Sequence, residues 1–173
     1  MKLAATALYS IRWHSPVGEL LLVCHEQALC GCWFGDQAGI PGWAASAAEK
    51  PDHPLLQLAR AQLQAYFDGK RREFDLPLDC SYSNGTEFQQ AVWQALPLIR
   101  HGHTTSYGQL AQMVGRPRAV RALGAAVGRN PLAILLPCHR IVGANGGLTG
   151  YTGGLARKTF LLQLEQAQGL FFS

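Results

Sequence analysis

Acidic residues are scarce in the second half of this chain. Residues 100–173 contain eight Lys and Arg residues but a single carboxylate, Glu165, whereas residues 1–99 contain seven Lys and Arg residues against ten Asp and Glu residues. Arginine outnumbers lysine seven to one in the basic half, as expected where planar guanidinium groups bind phosphates. The asymmetry indicates that the binding partner is a polyanion, with nucleic acid the natural candidate. The alternative is a basic surface that is merely solvated.

Long apolar runs and regular cysteine pairs are also missing. No run approaches the ~20 residues that a membrane span requires. The weakly apolar residues 3–11 are diluted by Thr6 and cut off by Arg12, and no signal-peptide cleavage pattern follows. The five cysteines are irregularly spaced, which does not predict a disulfide scaffold. These features predict a globular, cytoplasmic protein without membrane association.

The same cysteines give little support for a metal site. The Cys-x-x-Cys spacing that is typical of zinc sites does not occur. Burial in strands explains most of the possible ligands, which are Cys24, His25, Cys30, Cys32 and Cys80. The sequence therefore predicts no metal and no cofactor, with zinc in the N-terminal part as the alternative.

The hydrophobic pattern changes near residue 82. Upstream, three segments with strand composition predict an antiparallel meander, and a fourth has helical spacing. These segments span residues 7–14, 18–24, 29–34 and 54–67. Downstream, the pattern is mainly helical and begins after the N-cap candidate Thr86. We therefore predict an α+β fold with a small N-terminal α/β domain, residues 1–82, and a mainly helical C-terminal domain, residues 83–173.

Two short helices joined by a glycine turn are predicted in the basic half. The first spans residues 107–114, and the second opens at Pro117 or Arg118 and runs to about Gly128. Arg118 and Arg121 lie on one face of the second helix, which is rich in small residues. The pattern is typical of a helix-turn-helix whose thin second helix approaches a nucleic-acid groove, although a helix packed tightly on its neighbour has a similar composition.

The most informative motif is Pro137-Cys138-His139-Arg140. A free thiol is only a few per cent ionised at neutral pH, and an adjacent base makes the thiolate available. The apolar run at residues 132–136 also allows an inert core cysteine that ends a buried strand. The six glycines of residues 139–154 favour a pocket wall, because glycine lets main-chain groups approach a flat ligand closely. We therefore predict that Cys138 is a nucleophile.

A final amphipathic helix is predicted from about Leu155 to Gln166, with Glu165 near its end. The helix macrodipole disfavours a carboxylate at a C-terminus. Glu165 is therefore expected to have another partner, with His139 as the candidate. An exposed surface glutamate is the alternative.

Motifs between residues 85 and 167 carry a resemblance to a known family. They are Ser-Tyr107-Gly-Gln-Leu-Ala, Arg121-Ala-x-Gly, Asn130-Pro, Pro137-Cys138-His139-Arg140, Gly150-Tyr151-x-Gly-Gly and Leu-Leu-x-x-Glu165. In order and spacing this region resembles the alkylguanine-DNA alkyltransferases, which repair 6-O-methylguanine. The N-terminal half resembles the family's smaller domain only loosely, mainly through Ser15-Pro16-x-Gly18. The resemblance implies a single-function bacterial member with a winged helix-turn-helix.

The resemblance implies five catalytic residues. Cys138 attacks the alkyl carbon, His139 takes the thiol proton through a water, and Glu165 holds and polarises the imidazole. Tyr107 donates a proton to the leaving guanine. Asn130 braces the turn around the site by hydrogen bonding.

The resemblance also implies how DNA is held. Arg121 fills the space left by a flipped nucleotide, and the thin helix enters the minor groove. The implied DNA-contacting residues are Arg118, Arg121, Ala122 and Arg140. The implied base pocket reads the base edge through main-chain groups of Cys138 and Ile141 and through the N–H groups of Tyr151 and Thr152.

The implied function is direct, irreversible transfer of the alkyl group from 6-O-alkylguanine, and also from 4-O-alkylthymine, in double-stranded DNA to Cys138 of a monomer. A thioether has no acyl or phosphoryl centre for water to attack, so each molecule repairs one lesion. A non-catalytic helix-turn-helix lesion sensor or regulator is the alternative, but sensors of this kind lack the nucleophilic cysteine. A cysteine hydrolase would explain Cys138 and His139 but not Arg121.

Overall fold

The computed structural model describes residues 6–166. The chain divides between Ser83 and Asn84 into two compact units, one residue from the boundary expected from the sequence. The first unit contains a sheet and the second is mainly helical, so the predicted α+β class is confirmed. Within the described residues, no helix is long and apolar enough to cross a membrane.

A four-stranded sheet is the centre of the first unit. Its strands are β1 (Tyr9–Ser15), β2 (Gly18–Cys24), β3 (Leu29–Phe34) and β4 (Ala48–Glu49), in the order β3-β2-β1-β4. The first three form the predicted antiparallel meander, with Leu22 of β2 opposite both Ile11 and Cys32. The two-residue β4 pairs in parallel with β1 and was not predicted, because so short a strand has no detectable period.

Over the described part of the first unit, residues 6–83, the α-helices are α1 (Gly42–Ala45) and α2 (Pro54–Phe67). The second has the predicted bounds because its local signals are strong. Pro54 suits the first helical turn, and Nδ1 of His53 accepts a hydrogen bond from the Leu55 amide at 3.2 Å. The inner face of this helix is buried through Leu56, Ala59, Leu63 and Tyr66, and the helix packs on β1 and β2.

Among residues 84–166, the second unit has four α-helices and a two-stranded parallel sheet. The helices are α3 (Glu87–Ala95), α4 (Tyr107–Met113), α5 (Val120–Gly128) and α6 (Leu155–Leu164), and the strands are β5 (Thr105–Ser106) and β6 (Ile141–Val142). Thr86 and Ser106 form capping boxes at the starts of α3 and α4, and Thr86 was the predicted N-cap. Helix α5 begins two or three residues later than predicted, with Ala119 at its N-cap.

Trp93 fixes α5 to the core of this unit. Its buried indole donates a hydrogen bond from Nε1 to the Ala126 carbonyl at 2.9 Å. Leu123 and Val127 are buried on the same inner face, whereas Ala122 and Ala125 are exposed. The small residues of α5 therefore lie on both faces: some allow close packing, and others leave a thin outer surface.

Candidate active site

Residues 130–138 lead from α5 to Cys138 as an irregular buried loop rather than a strand. Ile134 has φ of 69°, a left-handed conformation that is unusual for a β-branched residue. Asn130 braces the loop, since its Nδ2 donates to the Leu136 carbonyl at 2.7 Å and its Oδ1 accepts from the Leu132 amide at 2.9 Å. Asn130 thus fixes the conformation of the loop that ends at Cys138.

Cys138 lines a pocket of about 400 Å³, a volume typical of small-ligand sites. Tyr107 of α4 and two glycines of α5, Gly124 and Gly128, form part of the wall. The glycine-rich segment supplies Thr149 to Thr152, as expected for a pocket wall. The cysteine is 7% exposed, so a reacting group must enter the pocket to reach its sulfur.

A buried ionic network lies next to the cysteine in sequence. Nε2 of His139 is 2.8 Å from Oε2 of Glu165, which makes Glu165 the partner of the imidazole, as predicted. Arg140 donates from Nε to Oε1 and from Nη2 to Oε2 of the same carboxylate, at 2.8 and 2.9 Å, and from Nη1 to the Ile99 carbonyl at 2.6 Å. The side chains of His139 and Glu165 are fully buried, so this network is shielded from water.

Electrostatics favour a carboxylate beside a neutral imidazole. Burial alone would raise the pKa of the Glu165 carboxyl, but His139 and Arg140 outweigh burial and hold this pKa below its usual range. Burial lowers the pKa of His139, with Glu165 acting in the opposite direction. Because Nε2–H donates to Glu165, Nδ1 carries the lone pair. Within residues 6–166, Nδ1 has no hydrogen-bond partner, so it is available as a base.

Lys158 of α6 is a buried cation that the sequence analysis missed. Its side chain is 1% exposed, and Nζ donates to the Thr149 carbonyl at 3.1 Å. Burial lowers the pKa of Lys158 to about 8, with Cys138 acting in the opposite direction. The helical spacing of the sequence could have revealed its burial, because Lys158 lies on the helix face that also carries Leu161, Leu162 and Glu165.

The thiol is buried but surrounded by groups that favour its ionised form. Burial raises the pKa of Cys138, while Asn130, Lys158 and Tyr151 act to lower it. The thiol therefore needs both a base and a nearby cation to react, and the site contains one of each. This combination is typical of an activated cysteine nucleophile.

Exposed arginines lie on α5, in the turn before it and directly after it. Arg116, Arg118, Arg121 and Arg129 are exposed, as is Ala122. Gly124 and Gly128, on the same helix, line the pocket. A polyanion that contacts the outer face of α5 would therefore lie at the entrance of the pocket that contains Cys138.

Two family models match this chain and together span most of it. One describes the DNA-binding domain of 6-O-methylguanine DNA methyltransferase and matches residues 87–167. The other describes the ribonuclease-like domain of the same proteins and matches residues 7–80. The chain belongs to the 6-O-methylguanine DNA methyltransferase family.

Individual relatives agree with the family models. A methylated-DNA–protein-cysteine methyltransferase of Mycobacterium leprae is 48% identical over 159 residues, covering 90% of this chain and 91% of the relative. A Haemophilus influenzae protein of the same name is 43% identical, covering 93% and 88%. The crystal structure of Mycobacterium tuberculosis O6-methylguanine methyltransferase has a TM-score of 0.82 at 42% identity, covering 92% of this chain and 93% of that one. The M. tuberculosis OGT structure in complex with DNA has a TM-score of 0.81 at 43% identity and covers 92% of both chains.

One DNA-contacting residue implied by the family resemblance lies elsewhere than expected. Arg140, expected to contact DNA, is 6% exposed, and its guanidinium is bound to Glu165 and to the Ile99 carbonyl. It is therefore a member of the buried network, which corrects the expectation of a surface contact. The side chain of Ile141 is fully buried in β6, opposite Thr105, and the role implied for its main-chain group stays a prediction. Tyr151 and Thr152 line the pocket.

In this member of the methyltransferase family, the cysteines of the first unit do not fit a zinc site as they are arranged. Nε2 of His25 is already paired with Asp79 at 3.0 Å. Among the residues that the structure describes, no group of three or more His, Cys, Asp and Glu side chains has the arrangement of a metal site.

Proposed function

We propose that this chain repairs DNA by moving the alkyl group of 6-O-alkylguanine onto Sγ of Cys138 in one irreversible step. The observation that carries the proposal is a buried Cys138 that opens into a pocket on the DNA-binding helix and is backed by the His139–Glu165–Arg140 network. The match to relatives named for this reaction supports it over most of the chain.

The first step prepares the nucleophile. The Cys138 thiol passes its proton toward Nδ1 of His139, and Glu165 stabilises the imidazolium that results. Arg140 keeps Glu165 ionised and correctly oriented. Lys158 adds a positive charge that favours the thiolate in a pocket where burial opposes it.

The second step transfers the carbon. The new Sγ–C bond forms as the O6–C bond breaks, and the electron pair of the broken bond passes to the purine. Tyr107 donates its phenol proton to the base, because expulsion of a guanine anion into a buried pocket would be costly. The thioether that remains cannot be hydrolysed, so one molecule accepts one alkyl group.

DNA binding precedes both steps. The guanine cannot reach Cys138 while it is stacked, so the nucleotide must be flipped out, with Arg121 filling the space it leaves. The exposed small residues of α5 fit a minor groove, and the arginines around them neutralise phosphates. We propose that α4 and α5 act as a winged helix-turn-helix, that the protein binds as a monomer in the cytoplasm, and that it also accepts 4-O-alkylthymine.

Intact-protein mass tests this function. The protein is incubated with an oligonucleotide duplex that carries one 6-O-methylguanine, and Cys138→Ala is treated in parallel. We expect a single gain of about 14 Da, mapped to Cys138, saturating at one per chain and absent in the variant. Tight binding of the lesion with no mass gain would instead indicate a damage sensor, and repeated turnover on an ester or amide would indicate a hydrolase.

A further inference from the structure

Thr149 connects the glycine-rich loop to two helices of the second unit. Its Oγ1 donates to the phenol oxygen of Tyr107 on α4 at 3.2 Å. Its carbonyl accepts from Nζ of Lys158 on α6 at 3.1 Å. Thr149 itself is exposed and lines the pocket, so one rim residue contacts both the proton donor and the buried cation.

We propose that Thr149 is a positioning residue for the proton donation by Tyr107. The proposal rests on the function proposed above. Its hydroxyl orients the Tyr107 O–H toward the base, and Lys158 fixes the backbone from which that hydroxyl acts.

The first part of the argument concerns the phenol oxygen. A tyrosine hydroxyl has one proton to donate and an oxygen that accepts. A hydrogen bond donated by Thr149 occupies an acceptor direction of that oxygen. The remaining O–H then points away from Thr149, and Tyr107 is itself part of the pocket lining.

The second part concerns the charge that develops during the reaction. As the Tyr107 O–H bond breaks and the proton binds the departing guanine, negative charge builds up on the phenol oxygen. A hydrogen bond donated to an oxygen that becomes anionic strengthens as the charge grows. The Thr149 hydroxyl therefore stabilises the transition state more than the resting site, which should appear in the rate of transfer rather than in binding.

The third part concerns the backbone. Thr149 lies in a segment with Gly146, Gly147 and Gly150 around it, and Gly146 adopts a left-handed φ of 79°. Glycines contribute no side-chain packing and leave the backbone free to move. The hydrogen bond from the buried Lys158 restrains this backbone at Thr149 itself.

Single-turnover kinetics on a duplex with one 6-O-methylguanine test the proposal. Thr149→Val keeps the shape and removes the hydroxyl, and Thr149→Ser keeps the hydroxyl and removes the methyl group. We expect Thr149→Val to lower the limiting rate about 3- to 10-fold, as for the loss of one neutral hydrogen bond, with half-saturation changed less than about twofold. Thr149→Ser should stay within about twofold of the unaltered chain in both values.

A double-mutant cycle shows whether Thr149 acts through Tyr107. In a Tyr107→Phe background, Thr149→Val should cause no further loss of rate. An equal loss in both backgrounds, or no loss in the unaltered background, would overturn the role of Thr149 while leaving the proposed function intact. Absence of methyl transfer by the unaltered chain would overturn both.

Discussion

Each unit of this protein buries a cysteine beside a histidine and a glutamate, but the two clusters differ in their surroundings. In the first unit, Sγ of Cys24 is 3.7 Å from Nδ1 of His53, and Nε2 of His53 is 3.8 Å from Oε2 of Glu26, whose side chain is 64% exposed. In the second unit, the glutamate is fully buried and held by an arginine fork. The same three residue types thus occur in two different electrostatic settings.

The nearby cations and the pocket separate the two clusters further. The ammonium of Lys50, near Cys24, is exposed and lies 4.7 Å from the ring centroid of Tyr9, where water screens its charge. Lys158 is buried near Cys138, where its charge is screened much less. Burial raises the pKa of both thiols, to about 12 for Cys24, so burial alone does not separate the two clusters. A reactive thiol in this protein therefore requires a buried cation nearby and a pocket that leads to its sulfur, in addition to a histidine and a carboxylate.

The largest difference between the clusters should appear when each glutamate is replaced by glutamine. Glu165→Gln leaves the buried Arg140 without its carboxylate, which should lower the free energy of unfolding by about 3–5 kcal/mol and slow alkyl transfer severely. Glu26→Gln, the matched control, should change stability by less than about 0.5 kcal/mol. Denaturant unfolding of both variants measures this, and equal losses would mean that the two carboxylates are equivalent.

Lys158→Met should stabilise the protein at pH 7 while slowing transfer. The folded-state pKa of Lys158, about 8, lies below its ordinary value of 10.5, so the unfolded state binds more protons between these two pH values. The free energy of unfolding therefore rises with pH through this window, and the penalty below pH 8 is on the order of 3 kcal/mol. Unfolding of both proteins from pH 7 to 10 should show a gain in the variant that shrinks as pH rises. A constant difference across this range would contradict the assignment.

His53 should prove structural rather than reactive. Its Nδ1 accepts the Leu55 amide at the start of α2, so His53→Ala should cost about 1–2 kcal/mol of stability through the lost cap. His53→Asn supplies another capping acceptor and should recover part of this. Alkyl transfer by both variants, followed by intact mass, should match the unaltered chain; slower transfer would give the first cluster a part in the reaction.

Replacement of Cys24 should have the smallest effect on alkyl transfer and stability. Cys24→Ala should leave the single-turnover rate of transfer within about twofold, because the residue lies outside the proposed site. Its buried thiol contributes packing, so stability should fall by about 1 kcal/mol. A methyl group found on Cys24 in the unaltered chain would show that the first cluster also reacts, contrary to this prediction.

Local signals explain which parts of the fold could be predicted from the sequence. The bounds of α2 follow from Pro54 and the Asp68-Gly69 stop, and the caps of α3 and α4 follow from Thr86 and Ser106. The strand β4 could not be found, because its two residues pair only when the chain has folded. The run at residues 132–136 has the composition of a strand, but Asn130 and a left-handed Ile134 bend it into a loop.

The site was predictable where chemistry depends on residue type and not where it depends on distant contacts. Cys138, His139 and Glu165 could be identified as a candidate group from the motif and from a carboxylate at a helix end. The guanidinium of Arg140 is buried because it meets the Ile99 carbonyl, 41 residues away in sequence. Burial of Lys158 likewise depends on the fold of the glycine-rich loop, which no periodicity describes.

The left-handed backbone at Ile134 has a consequence for how the protein acquires its activity. The left-handed conformation is unfavourable for a β-branched residue by roughly 1–2 kcal/mol. Residues 130–138 would therefore not keep this conformation as an isolated peptide. The loop can form only when α5 and the side chain of Asn130 already hold it. We therefore expect the site of the nucleophile to form only when the second unit has folded, so that partly folded chains should transfer no alkyl group.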